Sequence, residues 1–201
     1  MNRPRLVLAG LSGGAGKSTL TLGLCRAWAR LGMRIKPFKK GPDYIDAAWL
    51  GLAARQNAAN LDPFLMPEET LRALFWNYSK DFDLALVEGN RGLFDGKDLH
   101  GTCSTAELAR SILAPLVLVM DCTKMTRTAA ALVAGCKQFE TGLNLAGVIL
   151  NRTAGDRHRQ ILTESIEHYT GVPVLGALPK IKPEPIPERH MGLISDQEFD
   201  T

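Results

Sequence analysis

Short apolar runs alternate with longer amphipathic stretches along most of the chain. Several runs, such as residues 116–120, are apolar at consecutive positions, which favours strands that are covered on both faces in a parallel sheet. The predicted strands are 5–9, 33–38, 82–87, 115–120, 145–150 and 173–177, and the predicted helices are 16–31, 46–55, 67–78, 104–113, 126–140 and 156–169. This repeated order predicts an α/β fold, a three-layer, doubly wound, mostly parallel sheet with helices on both faces.

The first predicted strand leads into a glycine-rich loop and then a helix, the context of a phosphate-binding loop. The loop covers 10–19, with Leu11 where the common pattern has its first glycine. Glycines let backbone N–H groups point at phosphate oxygens, and Lys17 is placed to reach the β- and γ-phosphates. Ser18 is the expected Mg²⁺ ligand, while Thr19 would steady the α-phosphate side. We therefore expect a nucleoside triphosphate to bind at Ser12, Gly13, Gly14, Ala15, Gly16, Lys17, Ser18 and Thr19.

Acidic residues follow the second and third predicted strands, whose carboxyl ends should face the nucleotide. Asp43 and Asp46 share the string Gly-Pro-Asp-Tyr-Ile-Asp, and two adjacent carboxylates could hold Mg²⁺ or an attacking group. Asp46 could instead be only the N-cap of the next helix. Glu88 closes an apolar strand and is the expected second Mg²⁺ contact. Asp95 lies in the glycine-rich loop that follows, either near the phosphates or merely as an Asp-Gly turn residue.

Asn151 and Pro179 follow the last two predicted strands. An asparagine at a strand end can pair with both the donor and the acceptor edge of a purine. Asn151 could equally start a turn and do nothing else. Both residues are candidates for the base-binding end of the nucleotide site.

The composition is that of an ordinary globular protein, with 45% hydrophobic and 22% charged residues among 201. The net charge of +3 does not favour a general nucleic-acid or membrane-surface binder. No apolar run approaches the roughly 20 residues of a membrane span, and the first residues do not read as a signal peptide. We therefore expect a cytoplasmic protein with no nucleic-acid or membrane partner.

The four cysteines, at positions 25, 103, 122 and 136, form no C-x-x-C pair. No histidine stands near them at zinc-ligand spacing, so free thiols are expected rather than disulfides or a zinc site.

The composition changes near the end of the chain, where residues 179–187 contain four prolines. Such a segment cannot form a helix or a central strand. We expect an ATP-binding P-loop domain over 1–179 and a stiff connector over 180–201. The connector is either a tail lying along the same domain or a linker to a second one.

The motifs resemble the synthetase domain of the cobyrinate a,c-diamide synthases, which belongs to the dethiobiotin-synthetase-like branch of P-loop proteins. The strings that carry the resemblance lie at 13–19, 39–46, 60–63, 88–96 and 187–193. The resemblance spans essentially the whole chain, and the Gly-Pro-Asp-Tyr-Ile-Asp string is more specific than the phosphate loop.

The resemblance implies a carboxylate-activating ligase with ATP and Mg²⁺ as cofactors. Its members phosphorylate peripheral carboxylates of a corrin-type tetrapyrrole, and ammonia then displaces phosphate to leave an amide. The implied catalytic residues are Lys17, Lys39, Asp43, Asp46 and Asp95; the implied metal ligands are Ser18, Asp43 and Glu88; Asn151 would read adenine. Cobyrinate, hydrogenobyrinate and nickel-sirohydrochlorin all stay open as the macrocycle, as does homodimer formation.

Two features depart from the family. Asn90–Arg91 and Lys40 replace residues that are usually apolar or small, so they either tune binding of a polycarboxylate or are solvated surface residues. The glutaminase domain that supplies ammonia, with its Cys–His–Glu triad, is not in this chain, and neither Cys25 nor Cys103 fits as its nucleophile. We expect the chain by itself to use ammonia and not glutamine.

Two other functions share part of this motif pattern. A partitioning-type regulatory ATPase would carry a second lysine at the position of Ser12, so the sequence counts against it. A dethiobiotin-synthetase-like ligase shares the phosphate loop and carboxylate activation but not the longer strings.

Overall fold

The structure, a computed structural model, describes residues 3–181, 188–189 and 192–193. The strands are β1 Arg5–Gly10, β2 Ile35–Lys40, β3 Ala59–Leu61, β4 Leu84–Gly92, β5 Leu116–Asp121, β6 Leu145–Thr153, β7 Val174–Pro179, β8 Glu188–Arg189 and β9 Gly192–Leu193. The helices are α1 Lys17–Arg30, α2 Tyr44–Ala54, α3 Glu68–Tyr78, α4 Thr105–Ser111, α5 Thr128–Phe139 and α6 Asp156–Thr170. Every predicted helix and strand is present, with shifted ends.

Seven strands form one parallel sheet in the order β3-β2-β4-β1-β5-β6-β7. The order reverses direction at β1, so β1 lies between β4 and β5, and the segments that follow β1 and β4 meet at one sheet edge. This is the edge where open α/β sheets bind ligands. The predicted doubly wound fold is confirmed.

Alternate residues of the strands build two cores. Val7 of β1 and Phe75 of α3 belong to the core under α3, α4, α5 and α6, whereas Leu8 of β1 belongs to the core under α1 and α2. Because strand side chains alternate between faces, adjacent residues of β1 bury in different layers. The sheet is therefore covered on both sides, as its unbroken apolar runs predict.

The hydrophobic pattern mislocates some strand ends and misses β3. β2, β4 and β6 continue to Lys40, Gly92 and Thr153, past the last apolar residue of each run. Pairing with the next strand extends them, since Glu88 still pairs with Leu8 across β4 and β1. β3 has three residues and is held at the sheet edge by β2, so it lacks an apolar run long enough to be recognised.

All four cysteines are free. Three are buried, and burial raises the pKa of the Cys25 thiol to about 12 and that of Cys122 to about 11; Cys103 is only partly buried. Among the described helices, none is long and apolar enough to cross a membrane. Most of the predicted connector at 180–201 lies outside the described residues, apart from its first two residues and the antiparallel pair β8–β9.

Gly89 and Gly135 give opposite predictions for the same substitution. A Cβ at Gly89 would lie 2.6 Å from Thr105 Cγ2 and 2.9 Å from the Leu8 carbonyl oxygen, whereas one at Gly135 in α5 would meet nothing within 4 Å. Gly89→Ala should lower the free energy of unfolding by about 1–3 kcal/mol through overpacking. Gly135→Ala should raise it by about 0.5–1 kcal/mol. Urea denaturation of both variants checks this, and a shift of the same sign in both would contradict it.

Candidate active site

The phosphate loop joins β1 to α1 at the sheet edge where β2 and β4 also end. Gly14 and Gly16 have positive φ values of 70° and 90°, which suit glycine and turn the loop backbone sharply. α1 begins after Gly16 with no side-chain cap. The N–H groups of its first turn, and the positive end of its dipole, therefore face outward, as an anion site requires.

Lys17 links the phosphate loop to the end of β4. Its side chain is buried, and its ammonium donates hydrogen bonds to the carbonyl oxygens of Ser12 and Arg91, both at 2.9 Å. Burial lowers the pKa of Lys17, and the Glu88 carboxylate opposes that shift. The charge is thus held beside the loop, and its contact with the β- and γ-phosphates stays a prediction.

Lys39 is the centre of the site. Its ammonium donates to Asp46 and, at 2.8 Å, to Glu88 Oε1. The side chains of Lys39, Asp46 and Glu88 are 4%, 11% and 1% exposed. β2 and β4 pair Lys39 with Glu88 in register, so both side chains leave the sheet on the same face. Burial alone would lower the pKa of Lys39, but the Glu88 and Asp46 carboxylates outweigh it and raise that pKa.

Glu88 also connects Lys39 to the phosphate loop. Ser18 donates a 2.6 Å hydrogen bond to Glu88 Oε1, while Glu88 Oε2 is buried without a hydrogen-bond partner among the described residues. Over the same residues, no three His, Cys, Asp or Glu side chains group as a metal cage. Mg²⁺ commonly takes one or two protein ligands together with phosphate oxygens. The Ser18 hydroxyl and the unpartnered Glu88 oxygen fit such an ion.

Of the two aspartates after β2, Asp43 and not Asp46 caps helix α2. α2 begins at Tyr44, and its N-cap is Asp43, whose carboxylate accepts from the Asp46 N–H at 3.1 Å. The interpretation of Asp46 as only an N-cap is wrong, because its side chain lies one turn inside the helix and binds Lys39. Burial raises the pKa of Asp46, and Lys39 opposes the shift. Metal binding by Asp43 stays a prediction.

Asn60 is a site residue whose contribution the sequence did not reveal. Its amide donates to the carbonyl oxygens of Gly41 at 2.7 Å and Asp43 at 3.1 Å, so the edge strand β3 holds the turn between β2 and α2. The sequence indicated Asn60 only as part of the string at 60–63 that carries the family resemblance. Its contacts could not be expected, because strand β3 was not predicted.

Asp95 makes the turn contact that one of its two interpretations predicts. Its carboxylate accepts a 2.9 Å hydrogen bond from the Gly92 N–H, and it is exposed in the turn after β4. It also lies near enough to Lys17 to raise the pKa of that lysine slightly against the effect of burial. Asp95 is therefore a turn residue, and its contact with the phosphates or with an intermediate stays a prediction.

Asn151 contacts the phosphate loop, and Pro179 lies at the end of β7, next to β6. The Asn151 amide donates to the Ala15 carbonyl at 3.0 Å, and a side chain at Gly16 would collide with it. Asn151 lies within β6 and packs directly against the loop, whereas Pro179 is the exposed last residue of β7. Contact of either residue with adenine stays a prediction.

The two basic departures from the family differ in burial. Lys40 is only 8% exposed, so its interpretation as a solvated surface residue is wrong. Arg91 is exposed and adopts a positive φ of 51°. Both lie at the same sheet edge as Lys17 and Lys39. The two residues therefore add positive charge at the carboxyl edge of the sheet, one from a buried position and one from an exposed position.

Comparison with known proteins identifies the relatives of the chain. Residues 6–193 match the family model of the CobQ/CobB/MinD/ParA nucleotide binding domain. The chain is 42% identical over 193 residues to a cobyrinate a,c-diamide synthase of Salmonella typhimurium, covering 96% of this chain and 42% of the relative. It is 44% identical over 196 residues to that of Syntrophotalea carbinolica, covering 97% and 43%. The chain therefore spans a little over two fifths of the length of these curated relatives.

Solved structures support the fold. The hydrogenase maturation factor HypB from Archaeoglobus fulgidus superposes with a TM-score of 0.59 at 11% sequence identity, covering 88% of this chain and 81% of that one. At this identity the likeness concerns the fold alone. It agrees with the three-layer P-loop architecture predicted from the sequence.

Removal of the shared cation should destabilise the protein in a way that a second substitution repairs. Lys39→Met leaves Asp46 and Glu88 buried without their counter-charge, which should cost about 3–5 kcal/mol in the free energy of unfolding. Adding Asp46→Asn removes one of the two repelling charges and should restore part of the loss. Urea denaturation of the wild type, both single variants and the double variant gives the coupling. Strictly additive effects would contradict the shared ion pair.

The stability of Lys39→Met should also depend on pH. Burial already raises the pKa of Asp46, and the variant lacks the lysine that opposes this shift. A carboxyl group whose folded pKa lies above its unfolded pKa binds more protons in the folded state, so stability falls as the pH rises between the two values. The free energy of unfolding of Lys39→Met should therefore fall below that of wild type by less at about pH 5 than at about pH 8. An equal deficit in urea denaturation at both pH values would show that ionised Asp46 is not its cause.

Proposed function

Since this chain belongs to the CobQ/CobB/MinD/ParA nucleotide binding domain family and is homologous to cobyrinate a,c-diamide synthases, we propose that it activates carboxylates of a corrin-type macrocycle with ATP. The product of the activation is an acyl phosphate, which ammonia converts to an amide. The observation that carries the proposal is the buried Lys39 ammonium between Asp46 and Glu88, beside the phosphate loop. A lysine held charged there would supply positive charge to a phosphoryl group during transfer, which supports the proposal.

The phosphate loop supplies the nucleotide-binding part. Backbone N–H groups over residues 12–19 surround the phosphates of ATP, and Lys17 exchanges its two carbonyl partners for phosphate oxygens. Ser18 and Glu88 are the residues that would hold Mg²⁺. Bound there, Mg²⁺ would neutralise charge on the β- and γ-phosphates. Asn151 and Pro179 are the proposed contacts to the base.

Two ammonium groups stabilise the charge that develops during transfer. A substrate carboxylate oxygen forms a bond to the γ-phosphorus while the bond from that phosphorus to the ADP oxygen breaks. Lys17 and Lys39 face the oxygens that carry the negative charge, from positions fixed before the reaction begins. Lys39 does not have to move or change protonation, because Asp46 and Glu88 hold it charged. Asp43 and Asp95, at the rim of the site, are proposed to orient the intermediate.

Ammonia completes the reaction. Its nitrogen bonds to the acyl carbon, the carbon–oxygen bond to phosphate breaks, and the nitrogen loses a proton, which leaves an amide and inorganic phosphate. A carboxylate alone resists this attack because it lacks a good leaving group. The buried thiols of Cys25, Cys122 and Cys136 have pKa values raised by burial, which does not suit a glutaminase nucleophile. We propose that ammonia reaches this site from outside the chain.

The function is tested by following ATP and the macrocycle in one reaction. Purified protein is incubated with ATP, Mg²⁺ and ammonium, with and without cobyrinate, while ADP is measured and the macrocycle is examined by mass spectrometry. We expect cobyrinate to stimulate ADP release, with one amide formed per ADP. Replacement of ammonium by glutamine should yield no amide. ADP release that is independent of cobyrinate, with no change in macrocycle mass, would contradict the proposal and favour a regulatory ATPase.

Matched lysine variants locate the chemistry. Lys17→Met should lower the cobyrinate-dependent rate at least 100-fold, the scale expected for loss of a group that stabilises transferring charge. Lys80 is exposed and lies after α3, away from this sheet edge, so Lys80→Met serves as the control and should keep the wild-type rate. An equal rate in Lys17→Met and Lys80→Met would place the chemistry elsewhere.

A further inference from the structure

The carboxyl ends of β2 and β4 present different side chains on their two faces. Lys39 and Glu88 lie on the face covered by α1 and α2, since they contact Ser18 and Asp46. Successive strand residues point to opposite faces, so Lys40 emerges on the face covered by α3 and α4. The proposed phosphoryl-transfer residues use the first face only. The second face carries charge that this chemistry leaves unexplained.

Lys40 is a buried cation without a direct partner. It is 8% exposed, and among the described residues its ammonium makes no hydrogen bond and no ion pair. Burial lowers its pKa, while Asp62, Cys103 and Glu107 are near enough to oppose that shift. A lysine left in this state loses hydration without full compensation. An anion from solution would supply the hydrogen-bond acceptor and the counter-charge that the described part of the protein does not give Lys40.

The acidic groups around Lys40 are already engaged with backbone groups. Asp62 accepts a 2.9 Å hydrogen bond from the Phe64 N–H, and Glu107 accepts from the Cys103 N–H. Neither carboxylate lies within ion-pair distance of the Lys40 ammonium. They moderate the positive potential there but leave the hydrogen-bonding positions of the ammonium unused.

Arg91 adds a second cation at the same place. The ends of β2 and β4 that carry Lys40 and Arg91 lie side by side, since the two strands pair and a Cβ at Gly41 would lie 3.7 Å from Asn90 Nδ2; in agreement, Arg91 lowers the pKa of Lys40 further. Its own guanidinium makes no hydrogen bond or ion pair in the described part of the chain, although its carbonyl oxygen holds Lys17. An arginine and a lysine side by side suit a carboxylate, which can accept hydrogen bonds from both.

A cavity of about 480 Å³ lies between α3 and α4, on the side of the sheet to which Lys40 points. Cys103 and Glu107, which both act to raise the pKa of Lys40, line it. Its walls combine apolar side chains, among them Met66 and Leu71, with three basic side chains and two acidic ones: Arg72, Lys97, Arg110, Glu68 and Glu107. Such a surface suits a large molecule with an apolar framework and a carboxylated rim.

We propose that Lys40 and Arg91 anchor a non-reacting carboxylate of the macrocyclic substrate on the α3–α4 face of the sheet, while another carboxylate is phosphorylated on the α1–α2 side. This inference rests on the proposed function. It assigns the two residues a role in substrate specificity and not in phosphoryl transfer. The macrocycle would approach across the end of the sheet from the cavity between α3 and α4.

The test measures equilibrium binding of cobyrinate and, separately, of ATP and inorganic phosphate. Lys40→Met, Arg91→Met and the double variant are compared with wild type and with Lys80→Met. Each single substitution should weaken cobyrinate binding about tenfold and the double about 100-fold, the scale of one charge-assisted hydrogen bond each. ATP affinity should change less than twofold. Added salt should weaken wild-type binding more than binding by the double variant.

Conservative variants separate loss of charge from loss of structure. Lys40→Arg and Arg91→Lys keep both cations and should retain cobyrinate affinity within about threefold, unlike the methionine variants. In the ammonium assay the methionine variants should raise KM with little change in kcat.

Each contrary outcome has a distinct meaning. Wild-type binding of cobyrinate with no loss in the methionine variants would overturn the anchor alone. A loss of ATP or inorganic phosphate affinity that matches the loss of cobyrinate affinity would assign the two cations to a phosphate group and also overturn it. Failure of wild type to bind cobyrinate would overturn the proposed function, and the anchor with it.

Discussion

The site depends on one buried ammonium group, that of Lys39, shared by two carboxylates from different parts of the chain. Removing such a charge from water costs several kcal/mol, and the cost is offset only when its partners hold good geometry. Asp46 comes from α2 and Glu88 from β4. The interaction therefore fixes the start of α2 against the sheet, and through Glu88 it also fixes Ser18 at the start of α1.

Because strand side chains alternate between faces, adjacent charged residues at this sheet edge point to opposite sides of the sheet. Lys39 and Glu88 leave β2 and β4 on the side of the phosphate loop, whereas Lys40, the next residue after Lys39, leaves on the other. Extension of both strands past their apolar runs makes this possible, because a disordered loop would not hold adjacent lysines on opposite faces. Strand pairing thus holds the proposed phosphoryl-transfer residues and the proposed substrate anchor near each other, on opposite faces of the sheet.

Much of the fold and part of the site could be predicted from local sequence. The apolar runs located six of the seven sheet strands, and the glycine loop located Lys17 and Ser18, because these features depend on neighbouring residues. The bonds from Lys39 to Asp46 and Glu88 could not be predicted, since they require the strand order and the β2–β4 register. Which aspartate caps α2 depended on where this helix begins. The predicted start at residue 46 made Asp46 a candidate N-cap, whereas α2 begins at Tyr44 and Asp43 caps it. Asn60 was missed as a contact because its short edge strand exists only through pairing with β2.

If a substrate carboxylate oxygen bonds to the γ-phosphorus, that oxygen leaves with inorganic phosphate when ammonia attacks, and an isotope label follows the transfer. Cobyrinate labelled with ¹⁸O in its carboxylates is incubated with the protein, ATP, Mg²⁺ and ammonium, and the inorganic phosphate is analysed by mass spectrometry. We expect one ¹⁸O atom in phosphate for each amide formed. Amide formation with unlabelled phosphate would show that the carboxylate is never phosphorylated, and would exclude an acyl phosphate even if ATP were consumed.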